Sequence, residues 1–198
     1  FSFSKYSLFC FPVIVVLLFI ILLLRIYLIT ITDIPLHFDE AQYWSWSQDL
    51  KWGYFSKPPL LAWIIGLSNY LCGSTENCIR LPIPILYFIA TIFVFLSTRI
   101  LTNNEIASSF SAITFNLMPG ITFSSFITTT DVPLILFSSA FAFVLLIIYK
   151  KENPSYSYFF ILSAIFFLGF LSKYAMSYLL ISTLISIIFF KEVRKKIL

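Results

Sequence analysis

The stretch Tyr6–Leu24, YSLFCFPVIVVLLFIILLL, carries no charge between Lys5 and Arg25. A helix needs roughly 20 apolar residues to cross the ~30 Å hydrocarbon core of a bilayer, and this one run supplies them. It is too long for the apolar core of a cleaved signal, and no small-x-small cleavage site follows it. The same interval recurs down the chain. Charges enclose uncharged runs at residues 81–98, 106–130, 132–149, 153–172 and 174–190. The fold class read from this pattern is all-α, a polytopic membrane protein with about six transmembrane helices. A single helix over 156–190 would be roughly 50 Å long, so a break is expected near Lys173. Met118-Pro119-Gly120 interrupts the third run, where a kink, a break or two half-length segments would serve.

Composition agrees. The 198 residues are 60% hydrophobic, 20% aromatic and 11% charged, against about 45–50% and 25% for apolar and charged residues in soluble domains. A soluble domain leaves roughly 30% of its surface exposed and could not hide so much apolar area. Disorder is excluded by the same figures. A net charge of +4 is no dense basic patch, so no nucleic-acid partner is expected. The chain starts at Phe1 and its methionines are Met118 and Met176, which reads as a piece of a longer parent.

With six spans, Lys5, Arg99, Lys150, Lys151, Lys191, Arg194, Lys195 and Lys196 share one side, and Arg25, Lys51, Lys57, Arg80 and Lys173 the other. The excess of Lys and Arg marks the first side as cytoplasmic. The opposite face then carries Asp33, Asp39, Glu40, Asp49, Glu76 and Asp131, and one long loop over 32–80. That loop holds all four tryptophans and the only histidine, His37. Apolar and aromatic residues within Asp39–Asp49 and Leu60–Leu71 predict two interfacial helices. Pro58 and Pro59 sit where the second would start.

Four motifs follow in order: His37-Phe38-Asp39-Glu40-Ala41-Gln42-Tyr43-Trp44; Trp52-Gly53-Tyr54-Phe55-Ser56-Lys57-Pro58-Pro59-Leu60; Thr130-Asp131-Val132-Pro133-Leu134; and Gly169-Phe170-Leu171-Ser172-Lys173-Tyr174. Together they resemble the dolichyl-phosphate-mannose–protein mannosyltransferase-like, or aminoarabinose-transferase-like, family of GT-C fold glycosyltransferases. The resemblance runs from about Leu28 to Phe190. It implies one membrane-embedded domain over 1–198, an N-terminal part of a longer enzyme, with the candidate active site in the 32–80 loop. It implies transfer of a sugar from a polyprenyl-phosphate donor to a lipid, glycan or protein acceptor. The setting it implies is a multi-pass protein of a bacterial inner (plasma) membrane, its site facing the periplasm or exterior. The family's catalytic acids fall on Asp39 and Glu40, with Asp131 across the same cavity and Lys57 near the carrier phosphate. Tyr43, Lys173 and Arg80 complete the expected substrate-binding set. Some relatives carry Glu before Lys-Pro; here Ser56 stands there, and any role of that acid is absent.

The residues themselves support this chemistry. Transfer needs a base for the acceptor proton and positive charge for the departing phosphate. Adjacent helical residues point about 100° apart, so Asp39 and Glu40 do not share one task. Plainer roles compete: Asp39 and Asp131 as helix caps, Glu40 in a structural pair with Arg80 or Lys57, Lys57 snorkelling to headgroups, Lys173 and Arg80 as boundary residues. His37, Asp39 and Glu40 leave a divalent metal as an alternative, but one histidine is a thin basis, and no cofactor or metal is assigned. Cys72 and Cys78 pair if their compartment is oxidising, and Cys10 lies inert in the first span. The competing functions are a transporter or channel fragment, which would carry midplane polar groups and repeated halves, and a non-catalytic remnant.

Overall fold

The computed structural model describes residues 7–197. Lys5, expected to close the first span, lies outside it, as do the side chains of Cys10, Glu192 and Lys196. Every regular element described is helical. They are α1 (Ser7–Ile31), α2 (Phe38–Ser47), α3 (Leu60–Cys72), α4 (Glu76–Arg80), α5 (Pro82–Thr102), α6 (Glu105–Leu117), α7 (Pro119–Ser124), α8 (Asp131–Lys150) and α9 (Tyr156–Ser172). A 3-10 turn (Tyr174–Met176), α10 (Ser177–Phe189) and α11 (Lys191–Ile197) follow.

Among the described residues, three stretches are long and apolar enough to cross a membrane: Pro12–Ile31, Glu76–Thr102 and Asp131–Lys150. The other three expected spans are shorter than a bilayer core. α9 has 17 residues, about 25 Å of helix. The run over 106–130 is not one span. It ends as a helix at Leu117, restarts at Pro119 and leaves helical form after Ser124. Pro119 cannot donate an N–H and excludes its predecessor from helical geometry, and Met118 is accordingly extended at φ −55°, ψ 133°. The expected break at Lys173 is present, with the residue extended at φ −157°, ψ 134°.

α5 is the central helix. It packs on α6 and α8, α8 packs on α9, and α1 lies against α5 and α6. The buried face of α1 is the stripe Ile14, Leu18, Leu22, Arg25 and Ile29, a spacing of three and four that follows the helical period. Its opposite face leaves Val13, Val16, Ile20 and Leu23 half exposed, as a lipid-facing surface would. The turn between α5 and α6 uses Asn103 at φ 50°, a left-handed position that Asn tolerates. Asn104 then caps α6, its Oδ1 accepting from Ile106 N–H at 2.9 Å and Ala107 N–H at 3.2 Å.

The 32–80 region forms its own small core at one end of the bundle. Tyr43 of α2, Leu61 and Ile65 of α3 and Ile79 of α4 are buried together. Each contributes about 1.5–3 kcal/mol by leaving water. Cys72 and Cys78 are disulfide-bonded and close the turn from α3 to α4.

Candidate active site at one end of the bundle

α2 begins with Leu36 packed into the loop core and His37 as its N-cap. Asp39 and Glu40 therefore stand inside the first turn, where carboxylates favour the positive end of the helix dipole. Asp39 is not the cap. Glu40 points inward and is 1% exposed. One oxygen accepts from His37 N–H at 3.0 Å and from the Arg80 Nη2 at 2.7 Å. The other accepts from Arg80 Nε at 3.0 Å and from Thr128 N–H at 2.8 Å. The remaining Arg80 donors reach the main-chain oxygens of Ile34 at 2.7 Å and Pro35 at 3.1 Å. Burial alone would raise the Glu40 pKa, but the hydrogen bonds from Arg80, Thr128 and His37 outweigh it and hold the carboxyl below its ordinary value. Glu40 is thus a fixed anion with four donors and no free oxygen. Removing one partner of such a buried pair costs about 3–5 kcal/mol.

Asp39 projects half-buried on the other flank, about 100° round the helix. One turn on, Tyr43 is 5% exposed. Burial pushes its phenol above the ordinary pKa, the Asp39 carboxylate adds to this, a hydrogen bond with Thr130 opposes it, and Asp131 raises it further. Tyr43 stays a neutral hydrogen-bonding group within electrostatic reach of both aspartates. Asp131 opens α8, following Thr130 at its N-cap. Its Oδ1 lies 2.6 Å from Lys173 Nζ, with the side chains 52% and 33% exposed. Ser172 Oγ donates to the Thr130 carbonyl at 2.9 Å and pins the end of α9 to the start of α8.

Lys173 is aimed by a close approach one turn earlier. A Cβ on Gly169 would stand 2.8 Å from Met176 Sδ, and Met176 is fully buried. Glycine at 169 lets the 3-10 turn fold back on α9, and Lys173 is the extended residue between them.

Asp39, Tyr43, Asp131 and Lys173 are therefore brought to one place, while Arg80 is brought to Glu40. Lys57 joins neither group. It is half-buried and forms no ion pair among the described residues. It sits on a turn whose Tyr54 donates its hydroxyl to the Trp46 carbonyl at 2.9 Å and stacks on Trp46 at 4.8 Å. Trp63 Nε1 donates to the Lys51 carbonyl at 3.0 Å. Among the described residues no three His, Cys, Asp or Glu side chains gather, so the His37–Asp39–Glu40 grouping is not formed. A half-exposed ion pair such as Asp131–Lys173 is worth only about 0–1 kcal/mol, so an anionic ligand can take the lysine from the aspartate at little cost.

Thr128, Thr130 and Ser172 belong to this site and were not singled out among its expected residues. For the two threonines the signal is the run Thr128-Thr129-Thr130, eight residues past Gly120 and just before Asp131, too polar to be the end of a lipid-facing span. Arg25 was read as the boundary of the first span, but α1 continues six residues past it and buries it to 4% exposure.

Comparison with known proteins points to one family. Residues 56–198 match the sequence model of the dolichyl-phosphate-mannose-protein mannosyltransferase family. The lipid A galacturonosyltransferase RgtD of Rhizobium johnstonii is 39% identical over 100 residues, which is 50% of this chain and 21% of that protein. The chain thus matches about a fifth of that relative's length. No solved structure matches it.

Proposed function

The chain belongs to the dolichyl-phosphate-mannose–protein mannosyltransferase family, and from that premise we propose that it carries a membrane-embedded part of a glycosyltransferase. The donor is a polyprenyl-phosphate sugar, and the acceptor is a hydroxyl or phosphate on a lipid, glycan or protein at the extracytoplasmic face. The observation that carries the reading is the meeting of Asp39, Tyr43, Asp131 and Lys173 at one end of the helices, beside the buried Glu40–Arg80 pair. The acidic residues supply a base and the lysine supplies the positive charge that transfer from a phosphate carrier requires.

In this reading Asp39 takes the proton from the acceptor oxygen as that oxygen bonds to the sugar's anomeric carbon. The bond from that carbon to the phosphate oxygen breaks, and the polyprenyl phosphate leaves with the electron pair. Lys173 releases Asp131 and meets the charge growing on the phosphate. Tyr43 and Asp131 orient the sugar hydroxyls, and Lys57, which forms no ion pair among the described residues, is the second cation proposed for the phosphate. Glu40 keeps α2 in place and does not exchange protons.

The test supplies membranes bearing the full-length parent protein with polyprenyl-phosphate sugars radiolabelled on the sugar. Movement of label to a lipid, glycan or protein acceptor, lost in Asp39→Asn, supports the reading. Label that crosses the bilayer without changing its carrier would make the protein a transporter instead.

A further inference from the structure

Arg25 is a cation inside an apolar helix, 4% exposed, on the buried stripe of α1. Charges at such positions are costly and are kept where they do something specific. It forms no ion pair among the described residues. Its Nη2 instead donates to the main-chain oxygen of Asn116 at 2.7 Å, across 91 positions of sequence.

That oxygen has lost its helical partner. In an unbroken helix it would accept from the N–H of Gly120, but α6 ends at Leu117 and α7 begins at Pro119. Within lipid an orphaned carbonyl must be satisfied by a neighbour. Arg25 is that neighbour, with Thr122 Oγ1 a longer second donor at 3.4 Å. The surroundings are tied down as well. Asn116 Nδ2 donates to Thr91 Oγ1 at 3.0 Å, and Tyr87 Oη and Ser124 Oγ are 2.6 Å apart, joining α5 to α7. From α7 the chain runs in a few residues to Thr128, Thr130 and Asp131. The 116–128 segment is thus held at one end by Arg25 and at the other by Glu40.

We propose that Arg25 is a positioning residue for sugar transfer: by holding the Asn116 carbonyl it sets the bend between α6 and α7 and so the placement of Thr130 and Asp131 beside Asp39. The proposal rests on the transferase reading for its kinetic consequence, but the bend itself is measurable without any reaction.

The experiment uses the full-length parent protein in lipid nanodiscs, with Arg25→Met and Arg25→Lys. Methionine is apolar, so it inserts at least as readily as arginine and membrane insertion is not at stake. Nitroxide labels on cysteines replacing the exposed Phe110 of α6 and Phe123 of α7 report the distance across the break. Expected in Arg25→Met is a broadened or shifted distance distribution, with kcat down about 10- to 100-fold, as for a displaced reacting group, and the donor KM within about twofold of the parent. Arg25→Lys keeps a donor in reach and restores both in part. An unchanged distribution in Arg25→Met overturns the proposal, and so does a raised KM with kcat unchanged, which would make Arg25 a ligand contact. A parent protein that moves no sugar defeats the transferase reading alone, and the label distances still decide the role of Arg25.

Discussion

Asp39 and Glu40 are neighbours in sequence and opposites in circumstance. Glu40 lies under the loop with four donors on its two oxygens and 1% of its surface exposed. Asp39 stands half-buried and acts electrostatically on the buried Tyr43, as does Asp131, which is loosely paired with Lys173. A helix turns about 100° per residue, and that rotation separates a carboxylate spent on holding the loop from one left available for chemistry. An acidic pair in a motif therefore need not be a catalytic pair.

The contrast breaks most sharply at Asp39. Asp39→Asn keeps size and one acceptor oxygen and loses the carboxylate's proton acceptance together with its charge. In the full-length parent, turnover is expected to fall about 10²–10⁴-fold, the usual worth of a positioned base, with the thermal midpoint nearly unmoved. Normal turnover in a well-folded Asp39→Asn protein would move the base to Asp131.

Glu40 should behave the other way. Glu40→Ala leaves the Arg80 guanidinium buried without its counter-ion, and a loss of about 3–5 kcal/mol in stability is expected by detergent or denaturant unfolding. Activity per folded molecule should change far less. The pH dependence sharpens this. Because the folded-state pKa of Glu40 is lowered, its contribution is present above the unfolded carboxylate value, near 4.3, and is lost as pH falls through the depressed value. The stability gap between the parent and Glu40→Gln should be full at neutral pH and should close on acidification below about pH 4. A gap that persists at low pH would mean the side chain acts by packing rather than by charge.

A smaller effect should come from Gly169→Ala. The new Cβ meets the buried Met176 at 2.8 Å, an overpacking expected to cost about 1–3 kcal/mol. The displaced 3-10 turn carries Lys173 away from Asp131, so donor KM should rise as well. A cost of Gly169→Ala that vanishes in a Met176→Ala background, measured against Met176→Ala alone, would confirm that contact as the cause. A silent Gly169→Ala would show that the lysine is aimed by something else.

The contrast also separates what was readable in the sequence from what was not. The one-sided clustering of charges placed Asp39, Asp131 and Lys173 at one end of the helices, and the helical rotation separated Asp39 from Glu40. A structural pairing of Glu40 with Arg80 was foreseen only as one alternative, because a carboxylate's partner 40 positions away leaves no local pattern. A charge at the end of an apolar run marks Arg25 as the edge of the first span, whereas the buried stripe Ile14, Leu18, Leu22, Arg25, Ile29 places it within α1. The third run is counted among the six spans, yet its interruption at Met118-Pro119-Gly120 is legible, because Pro119 makes a continuous helix costly, and the break is present. The closeness of Gly169 to Met176 depends on how two backbones approach, which residue spacing alone does not give.

The bond from Thr128 N–H to Glu40 spans 88 positions, whereas Arg80 lies 40 positions from Glu40. On a ribosome adding about 5–20 residues per second, Thr128 emerges roughly 4–18 s after Glu40. Through that interval the first loop, its disulfide included, has a vacant place for a donor not yet made. The loop therefore cannot finish as a self-contained unit. Exchange of residues 32–80 between relatives would do best to keep a hydroxyl residue at 128, because Thr128 gives the loop two hydrogen bonds, its N–H to Glu40 and its Oγ1 to the Ile79 carbonyl.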